Sequence, residues 1–99
     1  MSPGRGPWRE LEPGHREIDL HGMVRQQAGL AVRDALEACR RDGVKRLRIV
    51  HGKGGGVLRE EVLYQLEGSA NVADYRTARP RDGGEGAVDV WIERGPMRR

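Results

Sequence analysis

Two short motifs carry the residues best suited to phosphodiester chemistry. Asp19 and His21 stand two positions apart in the first motif, His51 and Lys53 two positions apart in the second, and Arg59 follows shortly after. An aspartate or a histidine can take a proton from a water molecule or from a ribose 2′-hydroxyl. A lysine and an arginine can hold a phosphate and offset the charge that develops on it. These residue types together predict a phosphodiesterase site.

Two other interpretations of Asp19 and His21 stay open. The pair has the donor chemistry to hold a divalent metal such as Mg²⁺ or Mn²⁺, which would activate a water molecule. Alternatively, an aspartate and a histidine at the end of a strand can simply order the following loop by hydrogen bonds.

The second motif continues into a glycine-rich loop at residues 52–56, formed by Gly52, Lys53, Gly54, Gly55 and Gly56. Apolar residues at helical spacing follow directly. Glycines let the backbone approach a ligand closely, and the N–H groups at a helix N terminus attract phosphate. The loop lacks the ending of a Walker loop and the full dinucleotide-binding fingerprint. It therefore predicts either a phosphate site or a tight strand-to-helix connection.

Basic residues lead into this loop, although the net charge of the chain is only +3. The basic cluster consists of Arg40, Arg41, Lys45, Arg46, Arg48, Lys53 and Arg59. A basic stripe beside a phosphate-type loop indicates nucleic acid more strongly than net charge does, so Arg46 and Arg48 are predicted to contact phosphates as well. The alternative is a solvated charged face.

The hydrophobic pattern predicts four strands and two helices in the order βαβαββ. Strands are expected at 17–22, 45–50, 72–78 and 87–93, and helices at 25–41 and 57–67. Apolar residues alternate with charged ones in three of the strands, so both helices should cover one face of the sheet. The fold is therefore predicted to be a two-layer α/β sandwich with a four-stranded mixed sheet.

The opposite face of that sheet is predicted to be charged, and either open or partly covered by the N-terminal segment. It should carry Asp19, His21, Arg46, Arg48, Asp89 and Trp91. A right-handed βαβ unit makes the first two strands parallel neighbours, so Asp19, His21 and His51 should meet at one edge of the sheet.

The termini and the composition set the domain organisation. Residues 1–16 are interpreted as a linker or irregular extension in which His15 has no role, residues 17–94 as the domain, and residues 95–99 as a frayed tail. A single cysteine, Cys39, suits a reducing compartment, and its place on an apolar helix stripe predicts a buried, inert thiol. With no apolar signal region or membrane-length segment, a cytoplasmic monomer is expected.

The two motifs together resemble the Smr (small MutS-related) domain family. The match rests on Ile18-Asp19-Leu20-His21-Gly22, on His51-Gly52-Lys53-Gly54 with Leu58-Arg59 behind it, and on Gly83-Gly84-Glu85-Gly86-Ala87, and it spans roughly residues 17–93. The family's DxH motif falls on Asp19 and His21, its HGxG motif on residues 51–54, and its basic residue after the loop on Arg59. Val24 departs from the threonine that starts the helix in many relatives.

This resemblance implies a nucleic-acid-binding domain with nicking endonuclease activity on branched or plasmid DNA, or on RNA. It also implies a two-layer fold like the C-terminal domain of translation initiation factor three. Relatives occur alone and at the C terminus of a MutS paralogue linked to suppressing recombination and to rescuing ribosomes. The alternative is a non-catalytic module that docks on structured nucleic acid or the ribosome within such a protein. The sequence leaves open whether the substrate is DNA or RNA, and whether cleavage requires a metal.

Overall fold

The structure, a computed structural model, describes residues 8–94. Alternating apolar and polar residues form five strands, and two helices carry apolar stripes. In chain order the elements are β1 (Trp8–Glu12), β2 (His15–Asp19), α1 (Arg25–Arg41), β3 (Arg46–Val50), α2 (Val57–Glu67), β4 (Val72–Thr77) and β5 (Ala87–Ile92). Two short 3-10 turns, Pro80–Asp82 and Gly84–Gly86, connect β4 to β5.

The strands form one mixed sheet in the order β1-β2-β3-β5-β4. β2 and β3 are parallel and are joined by α1, whereas the other three pairs are antiparallel. The predicted bounds of both helices are confirmed, and the predictions for β3, β4 and β5 are within one residue of the observed bounds. No helix within residues 8–94 is long and apolar enough to cross a membrane.

Both helices pack on the same face of the sheet, as predicted. One continuous core contains buried residues from the strands and from both helices: Ile18, Leu47, Ile49, Val88, Val90, Ile92, Ala28, Val32, Leu36, Val62 and Leu66. The helices approach each other closely at Gly29, where an added Cβ would lie 2.5 Å from Oε2 of Glu61. This oxygen belongs to the end of a flexible side chain, so a larger residue at position 29 would displace the Glu61 carboxylate.

The predicted count of four strands is wrong, because β1 adds a fifth. Residues 8–12 were assigned to a linker or irregular extension, and β2 begins at His15 and ends at Asp19 rather than spanning 17–22. β1 and β2 form a hairpin whose turn contains Gly14 at φ +82°. Trp8 packs against the core. The sequence WRELE contains only two apolar residues and gives too weak an alternation to predict a strand. Residues 1–7 and the predicted frayed tail at 95–99 lie outside the described residues.

Within residues 8–94, β1 extends the edge of the sheet instead of crossing the face without helices. Charged side chains cover that face, and Asp82 of the first 3-10 turn contacts Arg48 there. Arg9, Glu17, Arg48, Asp89 and Arg76 form one row across all five strands with alternating sign. Nε of Arg9 lies 3.0 Å from Oε1 of Glu17. Opposite charges on directly neighbouring strands stabilise a sheet, so this row fixes the register of β1 on β2.

Candidate active site

The two motifs meet because β2 and β3 are parallel neighbours. Asp19 lies opposite Val50 in the register, and the N–H of Leu20 donates to the carbonyl oxygen of Val50 at 2.8 Å. The chain segments after both strands therefore leave the sheet at the same edge. There His21 and His51 line one groove together with the glycine loop. Arg59 lines the same groove.

Asp19 ends β2 by turning its carboxylate onto the following residues. Its Oδ1 accepts a hydrogen bond from the backbone N–H of His21 at 3.0 Å and contacts Nδ1 of the same ring at 2.8 Å. Burial raises the pKa of Asp19, but the two hydrogen bonds from His21 outweigh it, so the pKa of Asp19 is lowered overall. Asp19 is thus a carboxylate at neutral pH and can only accept.

Because Asp19 only accepts, Nδ1 of His21 must carry the proton in this contact. That assigns the lone pair of the neutral ring to Nε2. The His21 side chain is 78% exposed, so this atom is open to solvent and to a ligand in the groove. An oriented imidazole with an accessible lone pair is the arrangement of a general base.

His51 is placed differently, because only 5% of it is exposed. Its Nδ1 lies 2.8 Å from the carbonyl oxygen of Gly52, which can only accept, so Nδ1 is the protonated nitrogen. Nε2 is buried without a hydrogen-bond partner in the part of the chain that the structure describes. Burial lowers the pKa of His51; the Gly52 contact opposes this, and the positive charge of Arg59 adds to it. His51 is therefore a neutral ring that holds the loop backbone.

The second 3-10 turn, Gly84–Gly86, holds the glycine loop in place by backbone hydrogen bonds. The N–H groups of His51 and Gly52 both donate to the carbonyl oxygen of Gly86 at 2.9 Å. A Cβ on Gly86 would lie 3.2 Å from Cγ of Lys53 and 3.4 Å from the carbonyl carbon of Gly52. Glycine at position 86 thus allows the two loops to touch. Gly56 has φ +96° and directly precedes α2, whose N terminus has no side-chain cap.

Two cations at the loop are not paired within residues 8–94. Neither Lys53 nor Arg59 has an ion-pair partner in that range. Both line a second groove next to the first, with Gly52, Gly54 and Gly56, and Arg59 borders both grooves. Two further residues line this second groove: Glu85, which belongs to the third stretch of the family resemblance but was given no role, and Thr77, which the sequence did not indicate. Their position follows from the pairing of β4 with β5, for which no local pattern gives a signal.

Arg46 and Arg48 do not line either groove; both lie on the uncovered face of the sheet. Arg48 is only 15% exposed and contacts three carboxylates. The distances are 3.5 Å from Nη1 to Glu17, 3.5 Å from Nη2 to Asp82 and 3.4 Å from Nε to Asp89. Arg46 makes a longer contact of 3.9 Å from Nη2 to Asp89. The structure thus separates these two arginines from the loop.

The donor set for a metal is small. Among residues 8–94 no group of three or more histidine, cysteine, aspartate or glutamate side chains is arranged to hold a metal ion. Asp19 and His21 contact each other, and Asp19 retains Oδ2 as a free donor atom. His15 was predicted to have no role; it is a buried residue of β2, and its burial lowers its pKa.

Comparison with known proteins gives one consistent result. The profile of the Smr domain family matches residues 18–93. Endonuclease MutS2 of Thermus thermophilus is 36% identical over 96 residues, which cover 87% of this chain and 13% of the relative. Ribosome rescue factor SmrB of Tolumonas auensis is 33% identical over 76 residues, which cover 77% of this chain and 44% of the relative. The chain thus spans less than half the length of either relative.

Two solved structures share the fold. The crystal structure of the Smr domain of Thermus thermophilus MutS2 has a TM-score of 0.75 and 38% sequence identity, covering 78% of this chain and 96% of that one. YdaL, a stand-alone small MutS-related protein from Escherichia coli, also has a TM-score of 0.75, with 26% identity over 79% of this chain and 64% of that one.

Proposed function

Because the chain belongs to the Smr domain family, we propose that it binds nucleic acid at the two loop grooves and nicks a phosphodiester bond there. One observation carries this proposal: the carboxylate of Asp19 holds His21 so that the lone pair on Nε2 is open to the groove that it shares with the glycine loop. A base beside a phosphate site is the minimum that such a reaction needs.

In the proposed reaction, Nε2 of His21 takes the proton from a water molecule or from a ribose 2′-hydroxyl. The resulting oxygen attacks phosphorus, and the bond to the leaving oxygen breaks. Asp19 stabilises the imidazolium that forms. Because His21 is largely exposed, the leaving oxygen can take its proton from solvent. His51 acts as a positioning residue that holds the loop.

The phosphate is proposed to lie between Lys53, Arg59 and the backbone N–H groups of the loop. Lys53 and Arg59 need not break an ion pair among the described residues to reach it. Charge that develops on the equatorial oxygens is then stabilised by groups already in place. Contacts of this kind carry no base specificity, which fits a domain that acts on structure rather than on sequence.

A divalent metal such as Mg²⁺ or Mn²⁺ is compatible with this site. Asp19 would supply one carboxylate oxygen and the substrate the phosphate oxygens, a pattern common for Mg²⁺. The free Oδ2 of Asp19 fits that role. Such an ion would neutralise phosphate charge. Nicking in EDTA compared with nicking in Mg²⁺ or Mn²⁺ tests whether one is required.

The names of two relatives guide the choice of substrates to test. The name Endonuclease MutS2 supports cleavage, and the name Ribosome rescue factor SmrB supports a ribosomal setting in which RNA is at hand. Branched or supercoiled DNA and structured RNA are therefore the substrates to compare. A domain that binds either one without cutting it would be the docking module rather than the nuclease.

Nicking of supercoiled plasmid and of labelled structured RNA by Asp19→Ala tests the catalytic part. We expect nicking to fall by about 100-fold or more, because the general base His21, a role that contributes about 10²–10⁴-fold, loses the carboxylate that fixes its tautomer and orientation. Affinity should stay equal or rise, because a negative charge near the phosphates is removed. Asp34→Ala is the matched control, since Asp34 is an exposed acid of α1 outside both grooves. Full nicking by Asp19→Ala would disprove the assignment.

Salt titrations test the binding part separately. Each of Lys53→Ala and Arg59→Ala should weaken binding to all sequences alike and reduce the slope of log K against log salt by about 1. Arg33→Ala, which removes an exposed cation from α1, should leave the slope unchanged. Binding that depends on base sequence but not on salt would contradict the phosphate site.

A further inference from the structure

Trp91 occupies an unusual place for a large aromatic residue, on the face of the sheet that no helix covers. It lies in β5, paired in register with Arg46 on one side and with Asp74 of the edge strand β4 on the other. The guanidinium carbon of Arg46 lies 5.1 Å from the centroid of the Trp91 ring, and that of Arg76 lies 5.0 Å from it. Trp91 stays partly exposed.

The two arginines beside Trp91 keep donors for a ligand, unlike Arg48 in the neighbouring row. Arg46 has a single ion-pair contact among residues 8–94, the long one from Nη2 to Asp89. Its Nε is buried, but its side chain is 33% exposed, so the donors it can offer to a ligand are those of its Nη atoms. Arg76 is exposed, and no ion pair holds it within that same range. An aromatic ring flanked by two such arginines is the composition of a site that stacks a base and contacts its phosphates.

This surface and the second loop groove lie on opposite faces of the edge strand β4, because Thr77 pairs with the core residue Val88 and Arg76 with Asp89. Thr77 lines that groove with Lys53 and Arg59, and Arg76 precedes Thr77 in the same strand. From Thr77 to Asp74, the partner of Trp91, the chain runs three residues, or about 10 Å at about 3.3 Å per residue. β4 is an edge strand, so a nucleic acid strand leaving the groove can pass around β4 and reach Trp91 on the other face.

We propose that the uncovered face binds a single-stranded flank of the nucleic acid whose phosphate occupies the loop groove. A base stacks on Trp91, and Arg46 and Arg76 contact the phosphates on either side of it. This inference rests on the proposed function, which it extends by naming the form of nucleic acid that the domain holds next to the cut. Only an unpaired base presents a ring face for stacking.

The charges around Trp91 decide what kind of binding this is. Asp74 and Asp89 face the same surface as Arg46 and Arg76, so the face is close to neutral. Stacking rather than attraction to phosphate must therefore contribute most of the affinity. Binding at this surface should accordingly depend less on salt than binding at Lys53 and Arg59.

Fluorescence of Trp91 tests the proposal directly. The chain has two tryptophans, so Trp8→Phe leaves Trp91 as the only tryptophan, which can be excited selectively over the two tyrosines. A single-stranded oligonucleotide of about ten residues should quench its emission, and a duplex of the same sequence should quench it much less. Equal quenching by the duplex would overturn the single-strand assignment.

Affinity measurements complete the test. Trp91→Leu should weaken binding of the ten-residue strand by about tenfold, because one base–aromatic stack is lost, while binding of a dinucleotide stays unchanged. Tyr64→Leu is the control, since it removes an exposed aromatic residue from α2. Arg76→Gln keeps the tryptophan and should weaken the same strand about threefold. It provides the test if Trp91→Leu does not fold.

The possible failures are distinguishable. Tight binding of the strand with unchanged Trp91 emission, and with Arg76→Gln equal to the parent, would overturn the inference and leave the proposed function standing. Absence of binding to any nucleic acid by the parent domain would overturn both.

Discussion

Replacing Arg48 by Met should destabilise the fold by about 3 kcal/mol. Arg48 is the one positive partner that contacts Glu17, Asp82 and Asp89 together, and Asp89 is only 6% exposed at its side chain. Removing one member of a buried ion pair costs about 3–5 kcal/mol when the remaining charge stays buried without compensation. Here each carboxylate keeps a second cation: Glu17 keeps Arg9, Asp82 keeps Arg79 and Asp89 keeps Arg46. The lower end of that range applies here, since Arg48 is 15% exposed and its contacts are 3.4–3.5 Å long.

Thermal and urea unfolding followed by far-UV circular dichroism measures this loss. For a domain of this size, about 3 kcal/mol corresponds to a fall in Tm of roughly 12–24 °C. Arg33→Met is the matched control: it makes the same substitution at an exposed arginine of α1, and it should change stability by no more than about 0.5 kcal/mol. A Tm for Arg48→Met within a few degrees of the parent would refute the structural role of this network.

The same variant tests the prediction from the sequence that Arg48 binds phosphate. If Arg48 were a phosphate ligand, Arg48→Met would reduce the salt slope of nucleic-acid binding by about 1. If its role is the internal network, the slope measured well below the Tm should equal that of the parent. The two outcomes separate a stability effect from a binding effect at one side chain.

Three further predictions follow from single positions. Gly56→Ala should cost about 1–2 kcal/mol because its φ is +96°, whereas Gly55→Ala, with no positive φ and open space around its Cβ, should be nearly neutral in urea unfolding. The free energy of unfolding should fall as the pH drops below about 6.5, because the lowered pKa values of His51 and His15 mean that the unfolded chain binds more protons there. His51→Gln should make that fall shallower. Cys39 should react with a thiol reagent only as fast as the domain opens, because it is buried and burial raises the pKa of its thiol.

Much of the fold and the two motifs could be predicted from local patterns. The period of the apolar residues gives the bounds of both helices, because a helix face repeats every 3.6 residues whatever it packs against. Strand alternation correctly assigned the buried face of β3 and β5. The meeting of His21 and His51 at one edge followed from the crossover rule, since parallel neighbouring strands end at the same side.

The tertiary structure alone decided the remaining points. β1 has too little apolar alternation to predict, and it forms because the hairpin brings Arg9 to Glu17 and Trp8 onto the core. The sequence placed Arg48 on a charged face, but its partner Asp89 is 41 residues away. Alternation tells which face a side chain occupies; strand order and register determine which charge lies opposite it. That is why a basic stripe read along the chain became two separate features of the folded domain: an ion-pair network around Arg48, and the loop cations Lys53 and Arg59, which have no ion-pair partner within residues 8–94.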